Sequence, residues 1–191
     1  MFKDLVKKSR SYRRFYGDKK ITKDQLKELV ELVRYTPSAA NLQPLKYILV
    51  CEEEINKKVY ETLSWAGYLR EWDGPIESER PTAYVIMLRD KTLTKKQSAD
   101  EGICAQTICL GAAEVGLGGC ILGSINRAKL TENLNISDDF EIALVIALGY
   151  PKENVIIEDM DEGGSIKYYR DEEGNHYVPK RSLEELIVKE I

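Results

Sequence analysis

Residues 82–88 constrain the fold more than any other stretch. Ala83, Tyr84, Val85, Ile86, Met87 and Leu88 follow one another with no polar interruption except the tyrosine hydroxyl. A strand facing water on one side alternates apolar and polar residues, whereas an unbroken apolar run reads as a strand buried on both faces. Residues 140–150 repeat the pattern at greater length, with Ile142, Leu144, Val145, Ile146 and Leu148 inside and Pro151 as the stop. Residues 45–51 and 120–124 read as shorter apolar strands, the second closing on Gly123. The helix that starts at residue 98 is also apolar. Ile103, Cys104, Ile108, Cys109, Leu110, Ala112 and Ala113 leave it little polar surface. It reads as the central buried helix, with Gln106 a polar exception that needs a partner if buried.

The flanking segments are amphipathic. Thr22 with Gln25, Ser98 with Glu101 and Ser182 with Glu185 have capping-box spacing. The first pair opens a helix whose apolar stripe is Leu26, Leu29, Val30 and Val33, and which stops before Pro37. Residues 2–8, 53–65 and 126–134 read as further helices. Residues 166–178 read as a hairpin turning at Glu173-Gly174-Asn175. Residues 60–81 lack periodicity and carry Trp65, Tyr68 and Trp72 among glycines and charges. They are either an excursion stapled to the core by its aromatics or a cover that offers Tyr68 and Trp72 to an aromatic substrate, and the two roles are compatible. With no repeat, low-complexity tract or linker, residues 1–191 read as one domain.

Composition then excludes several functions. The chain is 43% hydrophobic and 31% charged, as in a soluble globular protein, and its net charge of −4 argues against nucleic acid as a partner. No apolar run reaches the roughly 20 residues that span a membrane. The start, Met1-Phe2-Lys3-Asp4, lacks an apolar signal core, so a cytoplasmic location is expected. Cys51, Cys104, Cys109 and Cys120 lie in apolar segments without Cys-x-x-Cys spacing, which suits buried free thiols. His176, the sole histidine, is remote from them in sequence, so no metal site is expected. It lies in a charged hairpin with no Gly-x-Ser-x-Gly elbow and reads as a surface residue. A phosphate-binding P-loop, a dinucleotide fingerprint and a distinct carboxylate pair are all absent.

What remains is a set of binding elements. Residues 7–14 hold Lys7, Lys8, Arg10, Arg13 and Arg14, which make either a solvated face or an anion site built from guanidinium groups and a serine hydroxyl. In an extended segment Ser11 and Arg13 point to one side. Pro37 and Pro44 bracket Ser38, Asn41 and Gln43, which both donate and accept, while Ala39 and Ala40 let a flat ligand near the backbone. An ordinary helix-to-strand loop explains the same residues. The glycines at 116–123 suit a helix stop and turn, or the approach of a planar ring at Gly123. A chain poor in nucleophiles but rich in such elements suits a bound organic cofactor.

Arg10-Ser11-Tyr12-Arg13-Arg14-Phe15, the 37–44 stretch, Asp100-Glu101-Gly102-Ile103-Cys104-Ala105-Gln106 and Gly116-Leu117-Gly118-Gly119-Cys120-Ile121-Leu122-Gly123 occur in this order along the chain. Together, and over nearly the whole length, they resemble the nitroreductase family of FMN enzymes. The resemblance implies an α+β fold of three layers, α-β-α. A mixed or antiparallel sheet would surround a central buried helix, in an intertwined homodimer with flavin at the interface. It implies that Arg10, Ser11 and Arg13 hold the phosphate and the polar ring edge. Pro37, Ser38, Ala39 and Asn41, with Gln43 nearby, would reach the flavin from the opposite subunit. Ile121, Leu122 and Gly123 would lie beside the ring, and Lys180 and Arg181 at the phosphate. Two departures are a short covering insertion and Leu122 where many members carry an acid. The implied activity passes hydride from NADH or NADPH through flavin N5 to a nitroaromatic, quinone or related small molecule in a ping-pong cycle. No side chain acts as acid or base, and Arg13 stabilises the reduced ring. The alternatives are a reductive dehalogenase or a dehydrogenase on the same scaffold, or a flavin-storage protein.

Overall fold

The computed structural model describes residues 1–191. Its elements are α1 (Phe2–Lys8), α2 (Lys23–Glu31), β1 (Leu45–Val50), α3 (Glu53–Tyr60), β2 (Ala83–Asp90), α4 (Asp100–Glu114), β3 (Gly118–Leu122), α5 (Arg127–Leu134), β4 (Phe140–Gly149), β5 (Val155–Asp159), β6 (Tyr169–Arg170), β7 (His176–Lys180) and α6 (Leu183–Leu186). The main sheet has the order β1-β2-β4-β3, with every pairing antiparallel. A smaller mixed sheet, β5-β7-β6, stands apart from it. No helix is long and apolar enough to cross a membrane.

The unbroken apolar run of β2 has the consequence its composition requires. Ala83, Val85 and Met87 pack with Leu26 and Leu29 of α2 and with Ala105, Ile108 and Ala112 of α4. Tyr84, Ile86 and Leu88 face the other way, toward Val59 of α3, Leu130 of α5 and Trp65. Helices therefore cover both faces of the sheet, making three layers. Each buried Val, Leu or Ile contributes about 1.5–3 kcal/mol, so these two clusters dominate stability.

Several boundaries differ from the sequence expectation for identifiable reasons. The helix expected over 53–65 ends at Tyr60. The Thr62 hydroxyl donates to the Val59 carbonyl at 2.7 Å, and Leu63 bridges to Ile125, which draws the chain off the helix axis. The capping box of Thr22 with Gln25 forms, as does that of Ser182 with Glu185. The box expected from Ser98 and Glu101 does not. Helix α4 starts at Asp100, and Glu101 instead pairs with Arg89 at 3.0 Å, both side chains buried. Helix α4 is also not covered on all sides: Gly102, Ile103 and Gln106 are exposed on the single chain. The tail hairpin forms, but its second strand also pairs in parallel with β5, a strand not recognised from the sequence.

The segment after α1 runs extended against the main sheet. Tyr12 donates its backbone N–H to Gly119 O at 3.1 Å, and Phe15 donates to Glu79 O at 2.9 Å. Two glycines permit this contact. A Cβ at Gly118 would lie 2.6 Å from the Tyr12 ring, and one at Gly149 would lie 2.6 Å from the Phe15 ring.

Candidate functional site

A cleft of about 330 Å³ opens where this extended segment, α4, the edge strand β3 and the small sheet meet. The segment alternates as an extended chain must. Ser11 and Arg13 face the cleft, together with Arg10, whereas the Arg14 side chain turns away to Glu79, with bonds of 2.6 and 2.9 Å. Glu79 is buried, and Arg14, ahead of Lys152, holds its carboxyl down at about 2. Glu153, also buried, takes the backbone N–H groups of both Arg13 and Arg14, the latter at 3.2 Å, and binds Arg170 at 3.0 Å. The Glu153 carboxylate thus fixes the segment's backbone and that of Glu79 takes the Arg14 side chain, while Arg10 and Arg13 are presented to the cleft.

The lining is electrostatically one-sided. Arg10, Arg13 and Lys180 line the cleft, and no Asp or Glu does. None of the three forms an ion pair with the protein. The Arg10 guanidinium is steadied by carbonyls instead, Ser9 O at 2.7 Å and Val6 O at 3.1 Å. Gathering like charges without a counter-charge is unfavourable until an anion arrives. The cleft thiol, Cys109, is pushed up to about 12 by burial and is no nucleophile near neutrality.

The Pro37–Pro44 loop belongs to a different cavity of about 160 Å³, which shares no lining residue with the cleft. Helix α4 connects the two. Asp100 and Cys104 line the loop cavity, and Gln106 and Cys109 line the cleft. Asp100 moors the loop by accepting from the Ser38 hydroxyl and from the Ala39 N–H at 3.1 Å, while Gln43 N–H donates to the Ser38 hydroxyl at 2.9 Å. Three non-glycine residues here are left-handed: Ala40, Asn41 and Gln43, at φ of 51°, 53° and 50°. Such strain concentrates at ligand sites because surrounding contacts must over-determine it.

The comparison with protein-family models decides the family. The model described as "Nitroreductase family" matches residues 6–73 and 78–150. The chain belongs to the nitroreductase family. A curated relative from Archaeoglobus fulgidus is 27% identical over 159 residues, spanning 78% of this chain and 85% of the relative; its provisional name pairs NADH dehydrogenase with NAD(P)H nitroreductase. Among solved structures, a nitroreductase family protein from Streptococcus pneumoniae covers both chains completely with a TM-score of 0.69 at 20% identity. An FMN-dependent nitroreductase from Clostridium difficile covers 78% of this chain and 87% of its own, with a TM-score of 0.62 at 21% identity. The α+β fold of this nitroreductase is therefore that of its family.

Of the positions singled out from the sequence, the cleft gathers Arg10, Ser11, Arg13, Ile121 and Lys180. Pro37, Ser38, Asn41 and Gln43 line the separate cavity, and Ala39 is tied to it through Asp100. Leu122 does not reach the cleft. The strand period turns Ile121 toward it and Leu122 into the opposite core cluster. Gly123 lies beyond the cleft wall, with its carbonyl 3.4 Å from Arg127 Nη1. Arg181 is exposed and paired with Glu185 at 2.9 Å. Tyr68 and Trp72 are not cleft residues in the single chain. The Tyr68 ring packs against Tyr168 at 4.9 Å with the planes tilted by 56°, and Trp72 carries the Arg170 guanidinium at 4.1 Å, so the 60–81 excursion packs on the tail.

His176 corrects the sequence reading most sharply. It is fully buried and lines the cleft. Parallel pairing of β7 with β5 seals it, and that pairing has no local signal. Glu79, Asp100 and Glu153 were likewise missed. Only Asp100, inside a recognised segment, had any signal of its own.

Proposed function

We propose that the cleft binds FMN and that the chain is an NAD(P)H-dependent nitroreductase-type oxidoreductase. The observation that carries this reading is the convergence of Arg10, Arg13 and Lys180 on one cleft without a carboxylate. Family membership and the FMN named for the Clostridium difficile structure support it.

The residues present fit a phosphate-bearing planar group. Arg10, Ser11 and Lys180 hold the phosphate through charge-assisted bonds. Arg10 is already oriented by the Ser9 and Val6 carbonyls, which reduces the ordering cost of binding. Arg13 supplies fixed positive charge for the polar edge of the ring, and Ile121 supplies an apolar contact. Pro37, Ser38, Ala39, Asn41 and Gln43 complete the site from a second copy, which accounts for a strained, moored loop outside its own chain's cleft. Arg181, Leu122 and Gly123, also expected at the cofactor, do not line the cleft of the single chain. FMN held there by Arg10, Ser11, Arg13 and Lys180 would supply the redox chemistry, hydride transfer from NADH or NADPH and reduction of a nitroaromatic, quinone or related acceptor. No protein nucleophile, acid or base is required. The side chains bind, orient and stabilise negative charge that forms on the ring.

The visible spectrum of the purified protein, taken before and after anaerobic NADH and NADPH, tests this. A flavin spectrum bleached by either nucleotide is expected. A colourless protein that takes up no added FMN would sink the proposal, and a flavin that resists both nucleotides would mean storage. Arg13→Ala is expected to keep the fold while weakening FMN binding about tenfold or more or slowing reduction. Unchanged retention and reduction kinetics would remove Arg13 from the site.

A further inference from the structure

His176 is a feature of the cleft wall that anion binding by itself does not require. It opens β7, is fully buried, and is the only histidine in the chain. Its Nε2 lies 3.2 Å from Arg13 Nη1. A guanidinium has donors and no acceptor, so Nε2 must accept through its lone pair, which leaves the ring proton on Nδ1. That Nδ1 is sealed from solvent with no hydrogen-bond partner.

The surroundings hold both ring and guanidinium in place. Tyr168 packs on the imidazole at 5.2 Å between centroids and also lies under the Arg13 guanidinium at 4.9 Å. Glu153 takes the Arg13 backbone N–H. The charges facing the imidazole, Arg13 and Arg170, join burial in disfavouring a second ring proton. Arg13 is therefore held at its backbone by Glu153, which precedes β5, and at its guanidinium by His176 of β7 and the Tyr168 ring. Burying an imidazole with an orphaned N–H is unfavourable, and an aliphatic side chain would avoid it. The one hydrogen bond this ring makes goes to a cation of the ligand cleft.

We propose that His176 is a positioning residue which, as the Nδ1–H tautomer, holds the Arg13 guanidinium on the cleft wall in readiness for an anionic ligand. Identifying that ligand as FMN rests on the function proposed above; the tautomer and the His176–Arg13 bond do not. A single histidine allows a direct test, because imidazole nitrogen signals in the ¹⁵N-histidine-labelled protein need no assignment. At neutral pH the wild type should show a pyridine-type Nε2 and a protonated Nδ1, and Arg13→Gln should abolish that preference. A protonated Nε2 in the wild type would overturn the proposal.

FMN titration of the apo-protein, followed by flavin fluorescence, supplies the second arm. His176→Leu should weaken binding about tenfold, and His176→Gln, which keeps an acceptor, should restore it to within about threefold of wild type. A His176→Leu variant that binds FMN like wild type would overturn positioning. If wild type takes up no FMN, the cofactor reading fails and the tautomer alone decides this inference. If His176→Leu does not fold, the wild-type tautomer and the Gln variant decide it.

Discussion

At the scale of single residues, two buried groups shape the acid limit of this nitroreductase. His176 is held at about 4 against an ordinary 6.5, by burial first and then by Arg13 and Arg170. Between those values the unfolded chain binds the proton and the folded chain does not, so stability falls as pH drops from 6.5 toward 4. Glu79 is shifted from 4.5 to about 2, chiefly by its hydrogen bond from Arg14. Its contribution is complete above 4.5 and is lost as pH falls toward 2. His176→Gln should therefore flatten the pH dependence of the thermal midpoint between 6.5 and 4 while leaving the lower limb intact. An unchanged upper limb would mean that His176 already titrates normally in the folded protein.

Among the elements, the 37–44 loop shows how a strained segment is retained. Asp100 lies in the first turn of α4, where a carboxylate suits the helix dipole, and it binds the loop through Ser38 and Ala39. Those moorings hold Ala40 at a φ of 51°, a conformation that costs an L-residue with a Cβ roughly 1–2 kcal/mol. Ala40→Gly should raise the unfolding free energy by about 1 kcal/mol, read from the chemical denaturation midpoint. A neutral or destabilising result would show that the alanine methyl makes a compensating contact in the assembled protein.

Over the whole molecule, several large apolar side chains stay uncovered on the single chain. Ile103 is exposed on α4, Phe2 is exposed on α1, and Leu183, Leu186, Val188 and Ile191 are exposed on the tail. Apolar exposure of this kind marks an interaction face, and closed pairs are the commonest way to cover one. The cleft and the strained loop lie in separate cavities of one chain, as a shared site between subunits requires. Light scattering should give about twice the 21.8 kDa chain mass. Ile103→Asp should shift the protein toward monomer and release FMN together. A wild-type monomer that retains FMN would remove the dimer from the proposed function.

Features encoded within a few residues were legible in the sequence. The double-faced burial of β2 follows from its unbroken apolar run, and the caps at Thr22 and Ser182 from partners three residues away. The family resemblance rested on short contiguous segments in order, and those segments do hold Arg10, Ser11, Arg13 and Ile121, which the structure places in one cleft. Features that depend on distant chain were not legible. The hairpin over 166–178 was expected and its strands β6 and β7 do pair, but the parallel pairing of β7 with β5 on its other side was not. That pairing buries His176 and carries Lys180, but not Arg181, into the cleft. The Ser98 cap failed because Arg89, contributed by β2, claims Glu101. Sequence alone determined the doubly buried strands, two of the three local caps and the basic segment, because each depends on periodicity or on neighbours within a turn, while the three layers were implied by the family resemblance. Only tertiary structure decided which polar groups are buried, which cations remain unpaired and which of the singled-out residues share a cleft, because burial and pairing are set by segments far apart in sequence that the fold brings together.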